Sequence, residues 1–143
     1  MYTEPENRNR LLLLVEDDDN EVTIAMRALR RDVPEAEVQV LRDGARALDY
    51  MDDPRARLPR AVLLDLNMPR VDGFEVLREM RTREGWRHVP VVVVSSSSRE
   101  EDVRRSYELG ANSFVTRRFD PDRPGRYISQ VSRYWLETNR TPA

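Results

Sequence analysis

Three uninterrupted apolar runs, Leu11 to Val15, Ala61 to Leu64 and Val91 to Val94, constrain this chain more than any other feature. A strand with one face in water alternates apolar and polar side chains, whereas an unbroken run of this length is the pattern of a strand buried on both faces. Strands of that kind belong to parallel sheets sandwiched between helices. The runs also end alike: Glu16 and Asp17 follow the first, Asp65 the third strand of the chain, and Ser95 the fourth.

The segments between the runs supply the helices. Val22, Ala25, Met26 and Leu29 recur at helical spacing, with Asn20 placed to cap the helix and Pro34 to stop it. Val38 to Leu41 reads as a second strand, and Asp43 and Gly44 introduce a helix carrying Ala47, Leu48 and Met51. Asp72 and Gly73 begin another that buries Phe74, Leu77 and Met80. Ser98 with Glu101 fits a capping box for a helix ending at Gly110, Ser113 to Thr116 forms a fifth strand, and a last helix runs from about Gly125 to Asn139. The expected architecture is an α/β flavodoxin-like (βα)5 doubly wound sandwich with a parallel five-stranded sheet in the order 2-1-3-4-5. Residues 1–10 read as an N-terminal segment, 11–139 as the domain and 140–143 as a tail.

Composition narrows the function. The net charge is -2, from 24 basic and 26 acidic side chains interleaved along the chain, so no basic tract suggests nucleic acid or an anionic membrane. There is no cysteine for disulfides or thiol chemistry. No apolar stretch approaches the roughly 18 residues of a membrane span, and Met1 to Arg10 lacks the apolar core of a secretion signal. A cytoplasmic location is expected. All 24 basic residues are arginine, so any site that would use lysine must use something else.

In open parallel sheets the ligand crevice lies beyond the carboxyl ends of the strands, where strand order reverses. Strands one and three meet there, which brings Glu16, Asp17 and Asp65 together. Three carboxylates in one crevice repel each other unless their pKa values rise or a cation neutralises them. A hard divalent ion such as Mg2+ takes a few carboxylates, keeps water and leaves positions for phosphate oxygens. Acidic residues also follow strands merely as solvated loops or helix caps, and Asp18, Asp19 and Asp72 read that way.

LLLLVEDD, LLDLNMPRVDGFEVL, PVVVVSSS and GANSFVTR together resemble the CheY-like receiver domain of bacterial two-component response regulators. The resemblance covers nearly the whole chain, with the acidic pair, the Asp65 segment, a hydroxyl 30 residues beyond Asp65 and a cation 22 beyond that in register. It implies that Asp65 is the phosphoacceptor for a sensor histidine kinase. Glu16, Asp17, Asp65 and the backbone carbonyl of Asn67 would hold Mg2+. Ser95 and Arg117 would contact the phosphoryl group, and Phe114 would be the aromatic switch.

Two positions depart from the family pattern. Arg117 stands where a lysine is usual, replacing a compact point charge by a broad planar fork. Arg118 stands where a proline usually follows a cis bond, and a non-proline bond is expected to be trans. His88, the sole histidine, reads as a surface residue and Trp86 as loop packing.

The last helix leaves no room before residue 143 for an effector domain, so output is expected through protein contacts with an unknown downstream protein. Its ending, with Asp102 to Leu109, resembles the small response regulators paired with bacterial phytochromes. That implies a phytochrome-type kinase partner and a homodimer, for which Tyr127, Tyr134, Trp135 and Leu136 are the expected surface. Two rivals remain open at this stage. A degenerate receiver would act as a constitutive interaction module, with Arg117 as its support. A Mg2+-dependent aspartyl phosphatase would want an acid two residues after its nucleophile, where this chain has Asn67.

Overall fold

The computed structural model describes residues 9–142. Five strands alternate with helices: β1 Leu11–Val15, α1 Asp19–Asp32, β2 Glu37–Leu41, α2 Gly44–Asp52, β3 Ala61–Leu64, α3 Gly73–Thr82, β4 Val91–Ser95, α4 Glu100–Glu108, β5 Ser113–Thr116 and α5 Arg126–Arg133. A single 3-10 turn, Glu84–Trp86, precedes β4, and a π-helical turn, Tyr134–Thr138, continues α5. The sheet is parallel throughout with the order β2-β1-β3-β4-β5. This is the flavodoxin-like receiver fold expected from the sequence. Among the described residues no helix is long and apolar enough to cross a membrane.

Strand periodicity explains why the apolar runs are continuous. Leu11, Leu13, Val15, Val62, Leu64, Val91 and Val93 pack on one face with Met51 of α2 and Val76, Leu77 and Met80 of α3. Leu12, Leu14, Ala61, Leu63, Val92 and Val94 pack on the other with Ala25 and Leu29 of α1 and Ile128 of α5. Each fully buried valine or leucine contributes about 1.5–3 kcal/mol of apolar transfer free energy, so both faces must stay apolar. Trp86 belongs to the first core and meets Tyr50 edge-on at 5.9 Å.

Three expectations are corrected. The N-cap of α1 is Asp18, not Asn20: its carboxylate accepts from the N–H groups of Asn20 and Glu21 at 2.8 and 3.1 Å. Helix α4 has no capping box on Ser98, because Arg99 is its N-cap and Ser97 Oγ donates to Asp102 instead, at 2.6 Å. Leu136 does not lie on a surface but is 3% exposed within the α1–α5 core. Ile128, Ser132 and Leu136 recur at four-residue spacing on the buried side of the last helix, and Leu136 continues that stripe into the π turn closed from Asn139 N–H to Tyr134 O. Tyr134 is left 48% exposed.

Candidate functional site at the carboxyl edge of the sheet

Ladder hydrogen bonds continue one residue past the strands and set the site. Glu16 N–H donates to Leu41 O and Asp65 N–H to Val15 O, each at 3.0 Å, so both carboxylates leave the sheet at the same level. Arg117 N–H donates to Ser95 O at 2.8 Å, which brings the cation to that level from β5. The loop after β3 then folds back: Gly73 N–H donates to Leu66 O at 3.0 Å, and Arg70 takes the left-handed conformation, φ 64°. Gly73 lies so close under Asp65 that a Cβ there would stand 2.2 Å from Asp65 O.

The structure brings Glu16, Asp17 and Asp65 together, with one carboxylate oxygen of each within 4.8 Å of the others. Glu16 and Asp65 are buried and Asp17 is half-buried. Asp65 Oδ1 is buried without a hydrogen-bond partner. Above them an open, mostly polar cleft is lined by Glu16, Asp17, Asp18, Asn67, Ser96 and Arg117. A small set of converging carboxylates, one with an orphaned oxygen, fits a hard divalent cation.

Arg117 occupies the inner side of this cluster. Its Nη2 makes a very short contact with Glu16 Oε1 and lies 3.5 Å from Asp65 Oδ1, while Nε lies 3.5 Å from Glu21 Oε2. Burial alone would pull the guanidinium pKa down, but the carboxylates of Glu16, Asp65 and Glu21 outweigh it and hold the pKa above its ordinary value. Burial pushes Glu16 up to about 8, with the charge of Asp65 adding and Arg117 opposing. Asp65 is also raised by burial, against the pull of Arg117.

Ser95 is fully buried at the end of β4, and its Oγ accepts from Ser97 N–H at 3.1 Å. Asn67 is exposed at the cleft rim. Phe114 is half-buried against the core on the α2–α3 face, as is Phe74, whose ring carries Arg105 4.2 Å from its centroid. His88 is exposed, and every peptide bond among the described residues is trans, the one preceding Arg118 included.

Of the aromatic group on the last helix, Tyr134 and Trp135 stack edge to face at 5.0 Å, whereas Tyr127 turns towards the site and its hydroxyl donates to Glu21 Oε2 at 3.3 Å. Sequence reasoning missed Glu21, which lies in the first turn of α1 and meets Arg117 only because β5 and α5 fold across to it. It also missed Phe119, 90% exposed in the β5–α5 loop, which no spacing marks.

Residues 12–127 match the response regulator receiver domain family. The probable methanogenesis regulatory protein FilR2 of Methanothrix harundinacea is 38% identical over 135 residues, covering 92% of this chain and 87% of that relative. The response regulator Rcp1 of Synechocystis is 34% identical over 144 residues, 96% of each chain; its Mn2+-bound crystal structure superposes with a TM-score of 0.83 at 33% identity, covering 94% of this chain and 99% of that one. The phosphorylated cyanobacterial phytochrome response regulator RcpA superposes with a TM-score of 0.86 at 32% identity, again over 94% and 99% of the two chains. By its family match, its fold and its end-to-end similarity to these proteins, the chain belongs to the response regulator receiver domains and stands close to the phytochrome response regulators among them.

Proposed function

We propose that this receiver is a phosphorylation-dependent switch in which Asp65 accepts a phosphoryl group from a sensor histidine kinase of the phytochrome type. The observation that carries the reading is the convergence of Glu16, Asp17 and Asp65 on one point of the cleft, with a buried Asp65 oxygen lacking a hydrogen-bond partner. An Asp65 oxygen attacks phosphorus as the bond from phosphorus to the kinase histidine nitrogen breaks, and the electron pair leaves with the imidazole. Glu16, Asp17, Asp65 and the Asn67 carbonyl would hold Mg2+, which when bound would neutralise the carboxylates and draw phosphoryl oxygens towards them.

Ser95 and Arg117 supply a hydroxyl and a positive charge for the phosphoryl oxygens, and Phe114 is the aromatic switch that follows Ser95 as it moves. Output passes through protein contacts. Similarity to phytochrome response regulators supports the kinase assignment, and the exposed Tyr134 beside Trp135 supports a homodimer through the last helix.

The test is phosphate incorporation from acetyl phosphate into wild type and Asp65→Asn, with and without Mg2+, resolved as intact mass. A single Mg2+-dependent addition that the variant lacks is the expected result. No addition to wild type, combined with no Mg2+ binding in the cleft, would instead make the chain a constitutive interaction module, a reading that the Arg117 contacts would then favour.

A further inference from the structure

Arg117 touches three carboxylates, and they are not equivalent. Glu16 and Asp65 belong to the group proposed to hold Mg2+; Glu21 does not. Glu21 lies on α1, outside the lining of the open cleft, in a small cavity that it shares with Glu16, Asp65, Ala25, Arg117 and Tyr127. Its Oε2 receives the Tyr127 hydroxyl at 3.3 Å and faces Arg117 Nε at 3.5 Å, a looser contact than the one Arg117 makes with Glu16. The Arg117 side chain is 17% exposed, so its charge needs a partner whatever occupies the cleft. A cation drawn to Glu16 and Asp65 must displace the guanidinium from both, and the carboxylate remaining within its reach is Glu21. Lysine could not hold both seats at once, since its single ammonium lacks the fork that spans Glu16 and Glu21.

Resting on the metal-binding reading above, we propose that Glu21, held by Tyr127, is the positioning residue that receives Arg117 when a divalent cation enters the carboxylate cluster. Arg117 is thereby an internal competitor of the cation, and Glu21 sets how readily it yields. The seat lies between α1 and α5, so the transfer also carries a change of charge pairing from the cleft to Tyr127 on α5.

The test is calorimetric titration with Mg2+ alone of four proteins: wild type, Glu21→Gln, Arg117→Ala and the double variant. Loss of Glu21 is expected to weaken Mg2+ binding about fivefold or more when Arg117 is present and less than about twofold when it is absent, a coupling within the range of contacting charged residues. Arg117→Ala alone binds more tightly than wild type. Equal losses in the two backgrounds would overturn the proposal, because a field effect or a general loss of structure would not depend on Arg117. Mg2+ binding by the double variant shows that the glutamine is tolerated in the fold. No Mg2+ uptake by any of the four would sink the metal-site reading itself, an outcome distinct from equal losses.

Discussion

Arg117 Nη2 stands 3.5 Å from Asp65 Oδ1 but makes its tightest contact with Glu16, so the cation of β5 is shared between the proposed acceptor and its neighbour rather than dedicated to either. A lysine would place one compact charge against one oxygen; the guanidinium divides its donors over three carboxylates. The consequence is a site whose resting charge is partly offset from within, one guanidinium set against three carboxylates.

Arg117→Lys should therefore respond more fully than wild type to a phosphate mimic. Beryllofluoride with Mg2+ would be added to both while NMR shifts around Phe114 are followed, and a wild-type change that is smaller or needs more ligand is expected. Equal responses would mean that the arginine has no effect on the switch.

The pH dependence follows from Glu16, whose pKa rises from 4.5 to about 8 because folding buries it. The folded chain thus holds this proton more tightly than the unfolded one. The stabilisation is complete below pH 4.5 and is lost as pH rises through about 8. In metal-free protein the melting temperature should fall across that window relative to Glu16→Gln. Mg2+ needs the ionised carboxylate, so its affinity should climb by up to about tenfold per pH unit below the Glu16 pKa and flatten above it. Calorimetry across this range checks both.

Gly73→Ala should damage the site from beneath. The new Cβ would meet Asp65 O at 2.2 Å and Leu66 Cα at 2.7 Å, both backbone atoms that cannot step aside. A loss of about 1–3 kcal/mol or more is expected, with slower phosphorylation of Asp65. Gly85→Ala, with nothing within 4 Å, is the matched control and should stay within about 0.5 kcal/mol in denaturant titrations.

Asp18→Ala removes the side chain that accepts from the Asn20 and Glu21 N–H groups. A cost of about 0.5–2 kcal/mol is expected. Because this cap fixes the first turn that presents Glu21 to Arg117, the variant should also alter Mg2+ affinity; an unchanged titration alongside a lowered melting temperature would separate the two roles.

Tyr134→Ser should shift the protein towards monomer in sedimentation velocity while leaving its melting temperature nearly unchanged, because the side chain is 48% exposed. Leu136→Ala should do the opposite, costing about 2–5 kcal/mol through a cavity in the core. A wild type that is monomeric at all accessible concentrations, with and without phosphate mimic, would argue against the dimer.

The central strands were legible because burial on both sides leaves short unbroken apolar runs: β1 and β3 have the bounds read from sequence, and β4 gains only Ser95. The convergence of Glu16, Asp17 and Asp65 followed from strand order alone. Capping was less legible. Two aspartates before α1 and four serines before α4 offer equivalent carboxylate or hydroxyl groups, and the choice among them is made by backbone geometry that spacing does not encode. Leu136 was assigned to the surface because the buried residue that joins it to Ile128 at helical spacing is Ser132, which an apolar pattern passes over. Glu21 lay beyond reach because its partner is 96 residues away, on a strand three places along the sheet.

The ladder bonds Glu16 N–H to Leu41 O and Asp65 N–H to Val15 O make the acidic half of the site a stator. Its backbone can shift only if sheet pairing breaks, so the moving parts are confined to the opposite bank: the torsions of Arg117 and the loop that follows it. Variation in that loop should retune the timing of the proposed switch while the geometry of the Asp65 backbone stays fixed. A library aimed at slower or faster signalling belongs in residues 117–125, with the strand ends left untouched.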